Sequence, residues 1–313
     1  MKKNTAIILQ HSGGELANQL WNYISIFAYA KERDLECYNP SFFEYAHYFK
    51  HVKSGSLFIN SFFYLPFKNH DKRRGSKFTQ FFRLTYKIYV LIIKTIYKRR
   101  LVSTKHGTRE SVNHLPPTQE SKIINQLERT GDIYFDGWLF RNPKGIRKFH
   151  DDILKEFAPQ KNISDRVQNI INPLRKEFQF VVGVHIRQGD YRTFKRGKYF
   201  VDQGRVREVL DEFLSVYKIS SSKTVFFIAS DGPIDNVFFK GLNTYVSGEN
   251  APVDMFTLSS TDVIIGSDST FGDFASYYGN IPHIVCTREE IDWKYYLDKS
   301  EFFENKYSTM VHY

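Results

Sequence analysis

The chain is predicted to be a two-domain α/β protein, on three observations. Its 313 residues are enough for two domains or one large one, and can bury a sizeable core. Apolar runs of strand length alternate with helix-length stretches in both halves. Pro159 ends one helical stretch and a second alternating series begins behind it, which places a junction near residues 158–163. The expected division is 1–160 and 161–290, with a tail, 291–313, that crosses back to pack on the first domain.

In the first domain, residues 5–10 (Thr-Ala-Ile-Ile-Leu-Gln) form an apolar strand that enters His11-Ser12-Gly13-Gly14. A helix follows from Glu15 to about Arg33. Strand, glycine turn and helix open a nucleotide-type fold, and helix amino ends attract anions. The turn has neither a dinucleotide fingerprint nor a Walker-type lysine. Asn18 and Gln19 therefore either face a ligand or tie the helix start to a neighbouring loop. Residues 38–67 are rich in Phe and Tyr without a clean period. Short helices and loops are expected there, with core packing outweighing an acceptor groove.

Residues 68–105 carry twelve Lys or Arg against one acid, Asp71, while the whole chain has a net charge of +10. The rest is thus near neutral. Within this segment, 78–97 reads as an amphipathic helix with Arg83, Lys87 and Lys94 on one face. A basic amphipathic helix suits an anionic membrane surface, and a core helix with a solvated rim has the same pattern. No nucleic-acid-binding signature accompanies the charge, so no nucleic-acid partner is expected. Residues 107–121, with Pro116-Pro117, read as a loop. Residues 131–140 read as a strand entering a turn, followed by a helix through 150–157.

The second domain starts with a helix at 164–176. Residues 180–184 (Phe-Val-Val-Gly-Val) make one buried strand, which turns polar at once with His185, Arg187 and Asp190. Polar groups at the carboxyl end of a buried strand lie where open α/β sheets bind ligands. Arg187 suits an anionic, forked partner such as a phosphate. An internal Arg–Asp pair that fixes the loop, with His185 in the core, has the same residue types. After a helix at 204–217, the strand 224–229 ends in Ser230-Asp231-Gly232-Pro233. Asp231 there either accepts from a ribose or base, or serves the turn. A short helix begins at Asp254 and a strand occupies 262–266. Ser269 and Thr270 then open another helix, as a diphosphate cradle or as an ordinary N-cap. Residues 281–285 form the last strand.

Four of these stretches together resemble a known family. His-x-Arg-x-x-Asp after a Val-rich strand resembles the first motif of the α-1,2-fucosyltransferases, glycosyltransferase family 11, and of the wider inverting fucosyltransferases. Where that family has a second adjacent arginine, this chain has Gln188. Residues 14–19 are similar to the family's Gly-Gly-Leu-Gly-Asn-Gln, with Glu15 and Ala17 in place of two glycines and Asn18, Gln19 and Tyr23 kept. Residues 230–232 resemble a Ser-Asp-Asp strand end, with Gly232 for the second Asp. Residues 269–275 resemble Ser-Thr/Ser-Phe-Ser-Trp-Trp-Ala, with Gly272 and Asp273 changed. The segment 131–157 and the aromatic pair Tyr199-Phe200 also have counterparts.

The resemblance implies a GT-B architecture, two Rossmann-like domains facing a cleft. It implies transfer of L-fucose from GDP-fucose to a glycan or lipid-linked glycan hydroxyl, with inversion, in surface polysaccharide synthesis. Arg187 would contact the β-phosphate beside Ser269, Thr270 and Phe271, with His185 and Asp190 orienting it or the sugar. Ser230, Asp231, Asn18 and Gln19 complete the expected donor contacts. No cofactor is expected, and metal-independent chemistry fits the lack of an Asp-x-Asp motif. The general base stays open among Asp190, Glu15 and His11. Two other readings remain: a relative using a different nucleotide sugar, and a non-catalytic membrane- or polyanion-binding relative.

Two distant cysteines, Cys37 and Cys286, fit a reducing compartment and no disulfide framework. No apolar run reaches membrane-span length, and no signal-peptide core follows Met1. The expectation is a cytoplasmic protein, peripheral on the membrane where residues 68–105 touch it.

Overall fold

The computed structural model describes residues 4–9, 14–52, 59–68, 76–103, 131–138 and 140–297. His11, the basic triplet 72–74, the expected loop at 107–121 and the tail beyond Leu297 lie outside the described residues. The chain divides after Gln160 into two compact units. Each is built on an all-parallel sheet, with helices between several of its strands. Two Rossmann-like α/β units in one chain make up the GT-B-like fold class that the sequence implies.

The first unit holds β1 (Thr5–Ile8), β2 (Glu36–Tyr38), β3 (Leu101–Ser103) and β4 (Ile133–Asp136), in the order β2-β1-β4-β3. Between β1 and β2 runs α1 (Leu16–Glu32), buried almost all round. Its apolar residues do not stop at one stripe, because aromatic neighbours cover the side that would otherwise face water. Tyr23 meets Phe157 edge-on at 4.8 Å and Phe42 at 5.6 Å. Such pairs contribute about 0.5–1.5 kcal/mol each beyond the area they bury. Phe42, Phe43, Phe49, Phe63 and Phe67 are all buried, so the aromatic stretch goes chiefly to the core.

Helix α2 (Lys77–Ile96) starts at Ser76, whose hydroxyl accepts the Thr79 N–H at 3.2 Å. It is fixed to the unit through polar contacts as much as apolar ones. Arg83 donates to both Glu44 oxygens at 2.6 and 2.7 Å. The Tyr86 hydroxyl donates to the Leu9 carbonyl at 3.1 Å, and Lys94 lies 2.6 Å from Asp136. Helices α3 (Pro143–Lys148) and α4 (His150–Glu156) close the unit against α1.

The second unit opens with α5 (Lys161–Glu177) and continues through β5 (Phe180–Ile186), α6 (Gln203–Val216), β6 (Thr224–Ser230) and β7 (Asn243–Val246). It then runs through α7 (Ala251–Leu258), β8 (Val263–Ser267), α8 (Thr270–Gly279), β9 (His283–Cys286) and α9 (Trp293–Leu297). Strand order is β7-β6-β5-β8-β9. The chain winds outward from β5 in one direction and then returns to β5's other side at β8. The order therefore reverses between β5 and β8, and open sheets bind ligands at the carboxyl ends of the strands flanking such a reversal. Val182, Val184 and Ile186 face the cluster that includes Val206, Leu210 and Phe213 of α6. Strand alternation puts Gly183 and His185 on the opposite face, where Gly183 lies against Leu258 and Thr261.

Of the tail, residues 291–297 are described. Tyr296 accepts from the Tyr217 hydroxyl at 2.9 Å through its carbonyl, and Trp293 Nε1 donates to Glu212 at 2.9 Å. Residues 291–297 thus pack on the second unit. Their apolar rings fit the partly covered edge of the α6 core, beside Ile284 and Cys286.

Asp254 of α7 is buried, and desolvation pushes its pKa up to about 7 against partial relief from Ser247 and Arg166. Its folded-state pKa lies above the unfolded value, so its contribution is most favourable when it is protonated and is lost as pH rises through about 7. Asp254→Asn keeps an acceptor for Ser247 and removes the charge. The variant is expected to gain stability that grows from acid pH to about pH 8, measured by urea unfolding across that range. A gain independent of pH would contradict the assignment.

Candidate active site

The site grows out of the paired ends of β5 and β6. Parallel register sets Ile186 opposite Ser230, so Arg187 and Asp231 leave the sheet side by side. Asp231 Oδ1 accepts the Gln188 N–H at 2.6 Å and the Gly189 N–H at 3.2 Å. Its Oδ2 lies 3.1 Å from Arg187 Nη1. Arg187 Nε donates to Asp190 Oδ1 at 3.0 Å, and Nη2 approaches the same oxygen at 2.9 Å. The guanidinium is thus held between two carboxylates. The internal Arg–Asp pairing that the residue types allow is present.

Ser230 and Asp231, expected as donor contacts, are engaged within the protein. The Ser230 hydroxyl donates to the Ile186 carbonyl at 2.8 Å and accepts from Gly232 N–H and Gln188 Nε2, both at 3.1 Å. Gln188 is buried, and its Nε2 also donates to the Pro233 carbonyl at 2.8 Å. A Cβ placed on Gly232 would stand 3.0 Å from the Gln188 Cβ. The two departures from the family's motifs, at 188 and 232, are therefore in contact. At these two positions the chain has a neutral amide and a glycine, packed against each other.

From the other side of the reversal, Ser267 at the end of β8 accepts the Arg187 N–H at 2.9 Å. The Tyr191 hydroxyl donates to the Asp268 carbonyl at 2.9 Å and is hydrogen-bonded to Ser269. Burial pushes Tyr191 up to about 12, so it stays a neutral donor. Arg187 lies over the Tyr191 ring, 5.8 Å from its centroid. Tyr191 thus couples the Arg187 loop to the start of α8. Sequence reasoning missed it; its position one residue after the motif's Asp190 was the available signal. Ser269 is the N-cap of α8, accepting the Phe271 N–H at 3.3 Å. Thr270 opens the helix, whose first-turn N–H groups carry the positive end of its dipole.

His185 lies beneath, its ring 4.9 Å from that of Phe271. Burial first, then the neighbouring His283 and Arg187, lower its pKa to about 3. It is a neutral ring at ordinary pH and a poor general base. Its Nδ1 has no hydrogen-bond partner, and neither has His283 Nε2. Both face Gly272, where a Cβ would lie 3.5 Å from the first and 3.1 Å from the second. His283 is held from behind by Asp273, at 2.8 Å. The loop after Tyr191 is tight: Lys195, Arg196 and Gly197 all have positive φ, at 44°, 60° and 73°. Two consecutive non-glycine residues in that region store strain. Tyr191, Phe194 and Tyr199 cluster on this loop with centroids 6.0 Å apart.

Asn18 and Gln19 belong to the first unit. Both turn back on Gly14: Gln19 Nε2 donates to its carbonyl at 3.1 Å, and Asn18 packs where a Cβ would fall. Gly14 has φ +85°, so its lack of a side chain is needed twice over. Glu15, a candidate base, accepts the Tyr45 hydroxyl at 2.7 Å. Among the described residues no group of three or more His, Cys, Asp or Glu is arranged to hold a metal ion.

No family model matches the chain. No curated protein matches it either. Solved structures do. POFUT1 in complex with GDP aligns with a TM-score of 0.53 at 13% identity, over 90% of this chain and 98% of that one. A FUT1 mutant of Arabidopsis thaliana in complex with GDP aligns at 0.56 and 12%, over 92% and 72%. The NodZ alpha-1,6-fucosyltransferase soaked with GDP-fucose aligns at 0.50 and 14%, over 91% and 95%. This chain shares their fold. At such identities the likeness is one of architecture, and the chemistry has to be argued from the side chains.

The depressed pKa of His185 has a consequence for stability. The unfolded chain takes up a proton near pH 6.5 that the folded site resists to about 3, so stability falls as pH drops through that window. His185→Phe, which removes the titrating ring but fills its space, is expected to flatten this part of the pH–stability curve in urea unfolding. An unchanged slope would contradict the burial argument.

Proposed function

We propose that the chain is an inverting glycosyltransferase that moves L-fucose from GDP-fucose to a glycan hydroxyl, with α-1,2-fucosyltransferase-like chemistry in surface polysaccharide synthesis. One observation carries the reading. Arg187 and the first turn of α8 stand at the strand-order reversal of a Rossmann-like sheet, tied together through Tyr191 and Ser267. The fold is shared with proteins solved with GDP and GDP-fucose, which supports a guanosine diphosphate donor.

The leaving group is a diphosphate whose negative charge grows as the glycosidic bond breaks. A fixed guanidinium and a row of helix N–H groups meet that charge without reorganising. A hydrogen bond to a charged group contributes about 1.5–3 kcal/mol, and lowers the barrier when it strengthens as charge develops. Asp190 is the exchangeable partner of Arg187, its side chain 58% exposed against 29% for Asp231. A phosphate oxygen would take the place of Asp190, while Asp231 keeps the guanidinium aimed. Asp190, released beside the reaction centre, is then placed to accept the acceptor hydroxyl's proton. No metal is assigned to the reaction. Gln188 against Gly232 supports a second reading, a different nucleotide sugar on the same scaffold.

GDP and GDP-fucose are each expected to raise the melting temperature, and UDP is not, because only the folded state binds. A response to UDP alone would replace the first reading by the second. Arg187→Ala is expected to stay folded and to lose turnover by roughly 10²–10³-fold, as loss of one charge-stabilising donor does. Turnover within a few-fold of the wild type would remove Arg187 from its role. Turnover with GDP-fucose is expected to survive EDTA, measured against a divalent-supplemented control.

A further inference from the structure

Helix α2 presents its aliphatic side chains to solvent. A surface helix normally buries its apolar stripe and exposes its charges. Here the buried side chains are Thr79, Phe82 and Tyr86. Arg83 and Lys94 are drawn inward to Glu44 and Asp136. On the opposite side Phe81, Leu84, Ile88, Leu91, Ile92 and Ile96 are each more than half exposed. Their three- and four-residue spacing makes one continuous ridge along a helix about 30 Å long. Contiguous exposed apolar area of this kind marks an interaction surface.

Two further features say what it meets. Exposed Lys77 and Lys87 lie along the ridge, and exposed Lys98 and Arg99 follow its end. Residues 77–103 hold seven Lys or Arg and no acid. A second copy laid face to face would oppose like charges, whereas lipid headgroup phosphates complement them. The hydroxyls of Thr85 and Thr95 donate to the carbonyls of Phe81 and Leu91, both at 2.9 Å, so each is satisfied within the helix. That removes a desolvation cost on the one face where leaving water would otherwise impose it. No described helix is long and apolar enough to cross a membrane. The ridge is one face of α2, which suits lying along a bilayer surface.

We propose that this face of α2 docks the protein on an anionic lipid bilayer. The aliphatic ridge enters the acyl boundary, and Lys77, Lys87, Lys98 and Arg99 reach the headgroup phosphates, their stems covering apolar surface. The proposal is independent of the donor chemistry, since none of these residues belongs to the second unit.

The test is co-sedimentation of the full chain with vesicles of phosphatidylcholine, alone or mixed with phosphatidylglycerol. The mixed vesicles are expected to pellet the protein, less so at high salt. Ile88→Gln and Leu91→Gln are each expected to weaken that binding about tenfold, with unchanged melting temperatures because both side chains are exposed. Lys87→Glu with Lys98→Glu is expected to abolish the preference for the anionic mixture. No pelleting with either vesicle would overturn the proposal, as would equal binding to both. Wild-type binding by the Gln variants would overturn it too. A concentration-dependent dimer that the Gln variants abolish, without vesicle binding, would assign the ridge to a second copy instead.

Discussion

The carboxylate of Asp231 is the constraint on which the candidate site depends. Parallel pairing brings the ends of β5 and β6 to one edge of the sheet, where both chains must turn away and leave N–H groups without ladder partners. Asp231 supplies those partners to Gln188 and Gly189 and still reaches the Arg187 guanidinium. One side chain thereby fixes both the backbone of the loop and the direction of its cation. The Ser267 and Tyr191 contacts fix the same loop from the β8 side. An arginine placed in this way loses little further rotamer freedom when an anion arrives, so little of the interaction is offset by ordering.

The same arrangement sets the electrostatic problem of the site. Two carboxylates beside one guanidinium oppose the approach of a third anion. Physical balance comes from their unequal exposure: Asp190 is the more solvated, so water compensates its release more fully than it would that of Asp231. The positive front of α8 adds attraction that the carboxylates do not cancel directly. Below, a neutral His185 avoids placing a buried positive charge under Arg187, at the cost of stability in acid.

Much of the second unit was legible in the sequence. Long β-branched and aromatic runs such as 180–186 and 224–230 have one stable use, as central strands of a buried parallel sheet. Their polar ends marked the site, and Ser269 at a helix start was readable from capping chemistry alone. What the side chains do there was less legible. Asp231 and Ser230 bond to their own loop, a choice decided by the strand register and not by residue type. Strands β2, β3 and β7 have only three or four residues, and every residue of β7 is exposed. They exist because a neighbouring strand offers unpaired backbone groups, a cause that lies outside their own sequence. Helix α2 shows a third limit. Periodicity locates two faces, but which one packs depends on partners such as Glu44 and Asp136, distant in the chain.

The three basic residues of α2 on a common face were visible from spacing, yet two are held by acids of the first unit. The exposed aliphatic ridge was visible only once that packing was known. In the tail, Trp293 and Tyr296 follow the same rule: their destination was set by an unfilled edge of the α6 core, which composition does not reveal.

A crystal structure of the protein with GDP tests the central claim most directly. The expected result places the β-phosphate within hydrogen-bond distance of Arg187 and the first-turn N–H groups of α8, with Asp231 still holding Gln188 and Gly189. A diphosphate bound away from Arg187, or an Asp231 that leaves the loop to bind the ribose, would contradict it.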